Sequence, residues 1–152
     1  MENSCAKLCP SAQPDMENCR VLGVVQPAEN GAKNASMMVY LNQILPATKE
    51  VLAMAAPMQP TAIFRLAATC EESKCSHFDG MNCQLAVRIV QRMPEVVDTL
   101  PPCLIRKDCR WYSQEGGAAC RRCPQVTTVN YEASQELQEV AGVGPNYEAV
   151  VI

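Results

Sequence analysis

The chain has 152 residues, of which 48% are apolar and ten are cysteine, and its formal net charge is −3. That length suits one domain with appended segments, and the apolar share is enough for a real core. So small an acidic excess gives no bulk electrostatic argument for binding nucleic acid or an anionic membrane. The start, Met1-Glu2-Asn3-Ser4-Cys5, lacks the basic and apolar regions of a secretory signal. No stretch reaches the roughly 18 apolar residues of a membrane span. A cytoplasmic protein is therefore expected, and in a reducing compartment cysteines point to metal or redox chemistry ahead of disulfides.

In chain order, residues 1–20 read as an irregular, ligand-bearing loop carrying Cys5, Cys9 and Cys19, with Pro10 and Pro14 between them. Val21–Val25 and Met37–Leu41 are strand candidates, separated by a surface loop at 26–36 rich in Asn, Gly and Pro. Pro46–Ala56 reads as a helix, with Thr48 as its cap and Pro57 as its stop. A linker follows at 57–61, and then Ile63–Ala68, an apolar segment ambiguous between helix and strand. The clearest helix follows Cys83. Leu85, Ile89, Val90, Val96, Val97 and Leu100 keep helical spacing, Pro94 kinks or splits the segment, and Pro101-Pro102 stops it. Residues 103–124 read as a second loop-rich cysteine region. A last helix spans Tyr131–Ala141, capped by Asn130 and stopped by Gly142, and the tail ends in a strand-like Ala149-Val150-Val151-Ile152.

The cysteines fall into three groups: Cys5-x3-Cys9-x9-Cys19, Cys70-x4-Cys75-x7-Cys83 and Cys103-x5-Cys109-x10-Cys120-x2-Cys123. An iron–sulfur cluster needs several thiolates, usually four, converging on one inorganic body, and irregular backbone wraps such a body readily. The third group is sufficient for one four-cysteine site. The second group needs one further ligand, which an N-terminal cysteine, Cys9 or Cys19 ahead of Cys5, can donate, leaving two of the ten cysteines spare. Cys83 precedes the helix from Gln84, where free N–H groups favour a thiolate. Arg106, Lys107, Arg110, Arg121 and Arg122 surround the third group and would offset cluster charge. Zinc is the alternative, because Cys120-x2-Cys123, Cys5-x3-Cys9 and Cys70-x4-Cys75 all have allowed spacings. Against it, Cys103 and Cys109 are too far apart for a standard ribbon.

The segment Cys120-Arg121-Arg122-Cys123-Pro124 resembles the Cys-Pro that closes a ferredoxin cluster motif, and Cys9-Pro10 repeats the dipeptide. The segments Cys75–Gly80 and Arg110–Gly116 resemble parts of small bacterial cysteine-rich proteins. The ferredoxin-like resemblance implies iron–sulfur chemistry; the second resemblance carries no function of its own. The radical-SAM cysteine triplet is absent, as is the Gly-rich turn of WhiB-like regulators, since Tyr112-Ser113 follow Trp111. His77, the one histidine, reads as a polar loop residue ahead of a ligand or a partner for a nucleophilic Cys75 or Cys83. Trp111 and Tyr112 are core residues or shields for a cluster.

The expectation is an α-rich, irregular metal-binding fold of short helices and long cysteine-bearing loops, with a minor β-hairpin. It consists of one domain over 1–124 and a helix with an apolar tail over 125–152. One or two 4Fe–4S clusters, or zinc in their place, are its expected cofactors. Electron transfer or redox sensing through a protein partner is the expected role, with no membrane, nucleic acid or catalytic activity of its own. A zinc-stabilised adaptor and a cluster-bearing accessory subunit are the alternatives.

Overall fold

The computed structural model describes residues 6–26, 37–126, 128–130, 135–142 and 150–151. Cys5, most of the 26–36 loop, and residues 131–134 and 143–149 lie outside the described residues.

The fold is mixed α/β, which corrects the α-rich expectation. A four-stranded antiparallel sheet organises it, formed by β1 (Leu8–Cys9), β2 (Arg20–Gln26), β3 (Met37–Pro46) and β4 (Phe64–Thr69) in the order β1-β4-β2-β3. Between β3 and β4 lie two short helices, α1 (Lys49–Ala53) and α2 (Pro60–Ile63). Helices α3 (Gln84–Arg92), α4 (Arg110–Glu115) and α5 (Gly117–Cys120) follow β4. Strand β5 (Val129–Asn130), helix α6 (Gln135–Ala141) and strand β6 (Val150–Val151) complete the described chain.

The ambiguous run at 63–68 is the central strand. β4 pairs with β1 on one side and β2 on the other, and five of its six residues are buried. A strand covered on both faces is apolar on both, here at every buried position but Arg65, so its period of two is invisible in sequence. Its side chains nonetheless alternate. Phe64, Leu66 and Ala68 join a core with Ala12, Val21 and Ala55, flanked by Val51 and Leu52 of α1. Ala67 faces the other core, with Leu22, Leu85, Ile89, Trp111 and Val140. Each such aliphatic side chain contributes about 1.5–3 kcal/mol on burial. The register of β2 shifts between Val21 and Gly23 against both neighbours. A Cβ at Gly23 would lie 2.5 Å from the Val39 carbonyl oxygen, so the close approach of β3 requires glycine there.

The predicted hairpin is present as β2–β3. The helix at Thr48 is present too, with the Thr48 hydroxyl accepting from Val51 N–H at 3.2 Å. The long helix after Cys83 ends early, at Arg92. Met93 precedes Pro94 and takes the extended conformation (φ −99°, ψ 144°) that a following proline imposes. Val96, Val97 and Leu100 therefore leave the helix, and Val96 N–H bonds the Arg121 carbonyl at 2.9 Å. Gly142 (φ 75°) closes α6, donating to Gln138 O at 2.9 Å. Asn130 belongs to β5, which pairs with Val150–Val151 of the tail. Among the described residues, no helix is long and apolar enough to cross a membrane.

Candidate functional site

The β1–β4 ladder brings two distant cysteines together. Cys9 pairs with Ala68, Leu8 with Thr69, and Cys70 N–H donates to Lys7 O at 2.8 Å, so Cys9 and Cys70 come from neighbouring strand ends. Cys75 closes a 3-10 turn at Glu72–Lys74. The loop to Cys83 is folded around Asp79, whose Oδ1 accepts from Met81 N–H at 2.9 Å and Asn82 N–H at 2.7 Å. Gln114 of α4 clamps the backbone of Cys83 from both sides. Its Oε1 accepts from Cys83 N–H at 2.7 Å and its Nε2 donates to Cys83 O at 2.8 Å. Cys9, Cys70, Cys75 and Cys83 line one cavity of about 340 Å³, together with Ser11, Met16, His77, Phe78, Arg110 and Trp111.

Burial pushes the Cys9 thiol up to about 12, opposed by the Ser11 N–H and reinforced by Cys70, Cys83 and Cys75. Burial likewise raises Cys83, opposed by the Ala86 and Leu85 N–H groups at the start of α3. They stabilise a thiolate, which the buried surroundings otherwise disfavour. Arg110 leans over Phe78 at 5.3 Å and pairs with Glu72 at 3.3 Å, yet its Nε is buried without a hydrogen-bond partner.

The third cysteine group assembles separately. Cys103, Cys109, Cys120 and Cys123 line a cavity of about 20 Å³ with Pro10, Tyr40, Arg106, Trp111 and Tyr112. Where a loop was expected, Cys120 ends α5, Cys123 opens a 3-10 turn and Cys109 sits between a 3-10 turn and α4, while Cys103 lies in irregular backbone. Gly116 permits this by joining α4 to α5 at φ 69°, ψ −153°, a conformation open essentially to glycine alone. Burial pushes Cys109 up to about 12, opposed by the Tyr112 and Trp111 N–H groups on either side of a smaller rise from Cys123. Burial also raises Cys103 and Cys120; the Ile105 N–H opposes it at Cys103, and the Arg106 side chain does so at Cys120. Burial, then the charge of Cys123 and a hydrogen bond to it, hold the Tyr40 phenol well above its usual range.

Arg65 of β4 completes this second site. Its exposure is 0%. It donates from Nε to Pro10 O at 2.6 Å and from one terminal nitrogen to Cys123 O at 2.9 Å and Val126 O at 2.6 Å. Its other terminal nitrogen lies 3.1 Å from Cys123 Sγ, and its guanidinium sits 5.4 Å from the centre of the Trp111 ring. Trp111 lines both cavities, and a bridge between Leu8 and Cys109 ties the two sites together.

Of the predicted ligands, the structure thus groups Cys9 with Cys70, Cys75 and Cys83, and Cys103 with Cys109, Cys120 and Cys123. Cys19 lines neither cavity; it packs beside Val21 and Ala55, and burial raises its thiol against the pull of Arg20. His77 borders the first cavity with Nδ1 3.0 Å from an Arg88 nitrogen. Burial and Arg88 lower its pKa. Arg65, Tyr40 and Gln114 escape a cysteine-centred reading. For Arg65 a signal exists, a single cation inside an apolar strand-length run. All nine described cysteines are free thiols. Among the described residues, no group of three or more His, Cys, Asp or Glu side chains is arranged to hold a metal ion as it stands. The chain matches no family model and no curated protein, and its fold matches no solved structure.

Proposed function

We propose that this chain is an iron–sulfur protein, with one 4Fe–4S cluster held by Cys9, Cys70, Cys75 and Cys83 and a second by Cys103, Cys109, Cys120 and Cys123. The observation that carries this reading is the first cavity: four cysteines from separate segments line one space of about 340 Å³. At about 30 Å³ per water, that is room for roughly ten waters, more than a single ion fills. A polynuclear body also holds its ligands farther apart than one tetrahedral ion does. The orphaned Nε atoms of Arg110 and Arg106 fit as donors to an anionic sulfur body. The N–H groups that oppose the rise of the Cys9, Cys83, Cys103 and Cys109 thiols fit the same chemistry.

When bound, such clusters supply reversible one-electron chemistry. The chain's own residues do the rest. Backbone N–H groups and arginines stabilise the anionic ligands, and Trp111 and Tyr112 exclude water. Electron transfer or redox sensing with a protein partner, in the reducing cytoplasm, follows from that reading, as a carrier or sensor and not as an enzyme.

A second reading applies to the 103–123 site alone. Its cavity of about 20 Å³ favours a single tetrahedral ion, zinc in the first instance. Metal and sulfide analysis of anaerobically purified protein separates the two. Two clusters give about eight irons and eight sulfides per chain; one cluster plus zinc gives half that iron and one zinc. Colourless protein without iron sinks the proposal outright.

A further inference from the structure

The four cysteines of the first cavity are anchored by different means. The β1–β4 ladder fixes Cys9, opposite Ala68, and Cys70, through its N–H on Lys7 O. Cys75 is held within its own segment, its N–H donating to Glu72 O at 2.8 Å and its carbonyl accepting from Phe78 N–H at 3.1 Å. Cys83 ends the loop that follows Cys75 and stands ahead of α3 at φ −80°, ψ 111°, with no side-chain capping bond. It bridges Phe78, but that bridge is made by Gln84 N–H on His77 O and Asp79 N–H on Asn82 O. It therefore uses neither peptide group of Cys83 itself. Those two groups go to Gln114, 31 residues along the chain, at 2.7 Å and 2.8 Å.

A carboxamide carries an acceptor and a donor side by side, the complement of one residue's N–H and C=O. Gln114 spends both on Cys83, as a neighbouring strand would. Its Nε2 also donates to Glu115 Oε2 at 3.0 Å, which sets the sense of the amide, nitrogen toward the two oxygens. Arg110 lies four residues earlier on the same face of α4, and it borders the first cavity. Cys83 is buried, so a peptide group deprived of Gln114 there is costly to leave unpaired.

Resting on the iron–sulfur reading of the first cavity, we infer that Gln114 is a positioning residue of that centre, fixing the Cys83 backbone so that Cys83 stays in the ligand set with Cys9, Cys70 and Cys75. Retention of iron there then depends on α4, an element outside both segments that supply the ligands. Outer partners that orient a ligand in this way change metal affinity by about 10- to 100-fold.

The test follows loss of iron from the full chain to an iron(II) chelator under anaerobic conditions, in the parent, Gln114→Leu, Gln114→Glu and Gln125→Leu. Cys9→Ser assigns the share of iron and of visible absorption that belongs to the first centre. Gln114→Leu keeps the bulk and removes both bonds. It should speed loss of the first-centre share by about 10- to 100-fold and leave any metal at 103–123 at its parent rate. Gln114→Glu keeps the acceptor for Cys83 N–H but not the donor, and should fall between. Gln125→Leu is the control. It removes a comparable bond away from the first cavity, from Nε2 to Pro94 O at 2.6 Å, and should leave the first-centre rate unchanged. A merely structural role predicts that Gln114→Leu and Gln125→Leu speed the loss alike. That result, or a first-centre rate in Gln114→Leu within about twofold of the parent, overturns the inference and leaves the cluster reading intact. If Gln114→Leu fails to fold, Gln114→Glu decides on the same two comparisons. A parent with no iron in the first centre overturns the inference together with the reading beneath it, and shows before any variant is compared.

Discussion

Replacing Trp111 with alanine removes the side chain that both cavities share. Trp111 is 1% exposed and packs in the core with Leu8, Leu22 and Ile89. Truncating a buried tryptophan costs about 3–5 kcal/mol. Loss of the contact with the Arg65 guanidinium, 5.4 Å from the ring centre, adds about 0.5–2 kcal/mol because both partners are desolvated. The sum, about 3.5–7 kcal/mol, is a large part of the roughly 5–15 kcal/mol that stabilises an ordinary domain. Trp111→Phe keeps a ring and should cost about 1–2 kcal/mol. Guanidinium unfolding under anaerobic conditions, followed by far-ultraviolet circular dichroism, measures both variants. A loss under about 2 kcal/mol for Trp111→Ala would refute the packing argument, because a core tryptophan cannot be removed so cheaply. The parent offers a second readout, since Trp111 is the one tryptophan in the sequence. Its fluorescence should be weak beside a loaded, visibly absorbing centre and should rise when the metal is stripped.

Cys9→Ser should lose about half the iron, while Cys19→Ser should keep its full complement, as measured by iron per chain. Gly116→Ala forces a side chain into a backbone region reserved for glycine and should cost about 1–3 kcal/mol, read from the unfolding midpoint. It should also weaken loading at 103–123, since Gly116 sets Cys120 relative to Cys109. The Asp79 carboxyl is held below its usual value by the Asn82 and Met81 N–H groups, against a small desolvation. A depressed folded-state pKa contributes stability that is complete above the unfolded value near about 4 and is lost as pH falls through the folded one. Asp79→Ala should therefore flatten the acid limb of the stability profile below about pH 4; an unchanged limb would show that this turn contributes nothing.

Much of the layout was legible because it is written in local chemistry. The short apolar runs at Val21–Val25 and Met37–Leu41 marked the hairpin, and the Thr48 cap marked α1. What failed depended on tertiary context. β4 hides its alternation because both faces are covered, and β1, two residues long, carries no periodic signal at all. Missing β1 also left the choice between Cys9 and Cys19 open, since only the Cys9–Ala68 pairing distinguishes them. The third cysteine group was complete in sequence because its members lie within one short stretch. Arg65 was invisible as a partner of Cys123 because 58 residues separate them.

The most direct test of the account is the visible spectrum and the iron and sulfide content of anaerobically purified protein, parent beside Cys9→Ser. The account predicts a brown parent with broad absorption near about 400 nm and about four irons and four sulfides at each tetrad. Cys9→Ser should lose the share of the first tetrad alone. A colourless parent, or a parent whose iron is untouched by loss of Cys9, would contradict it.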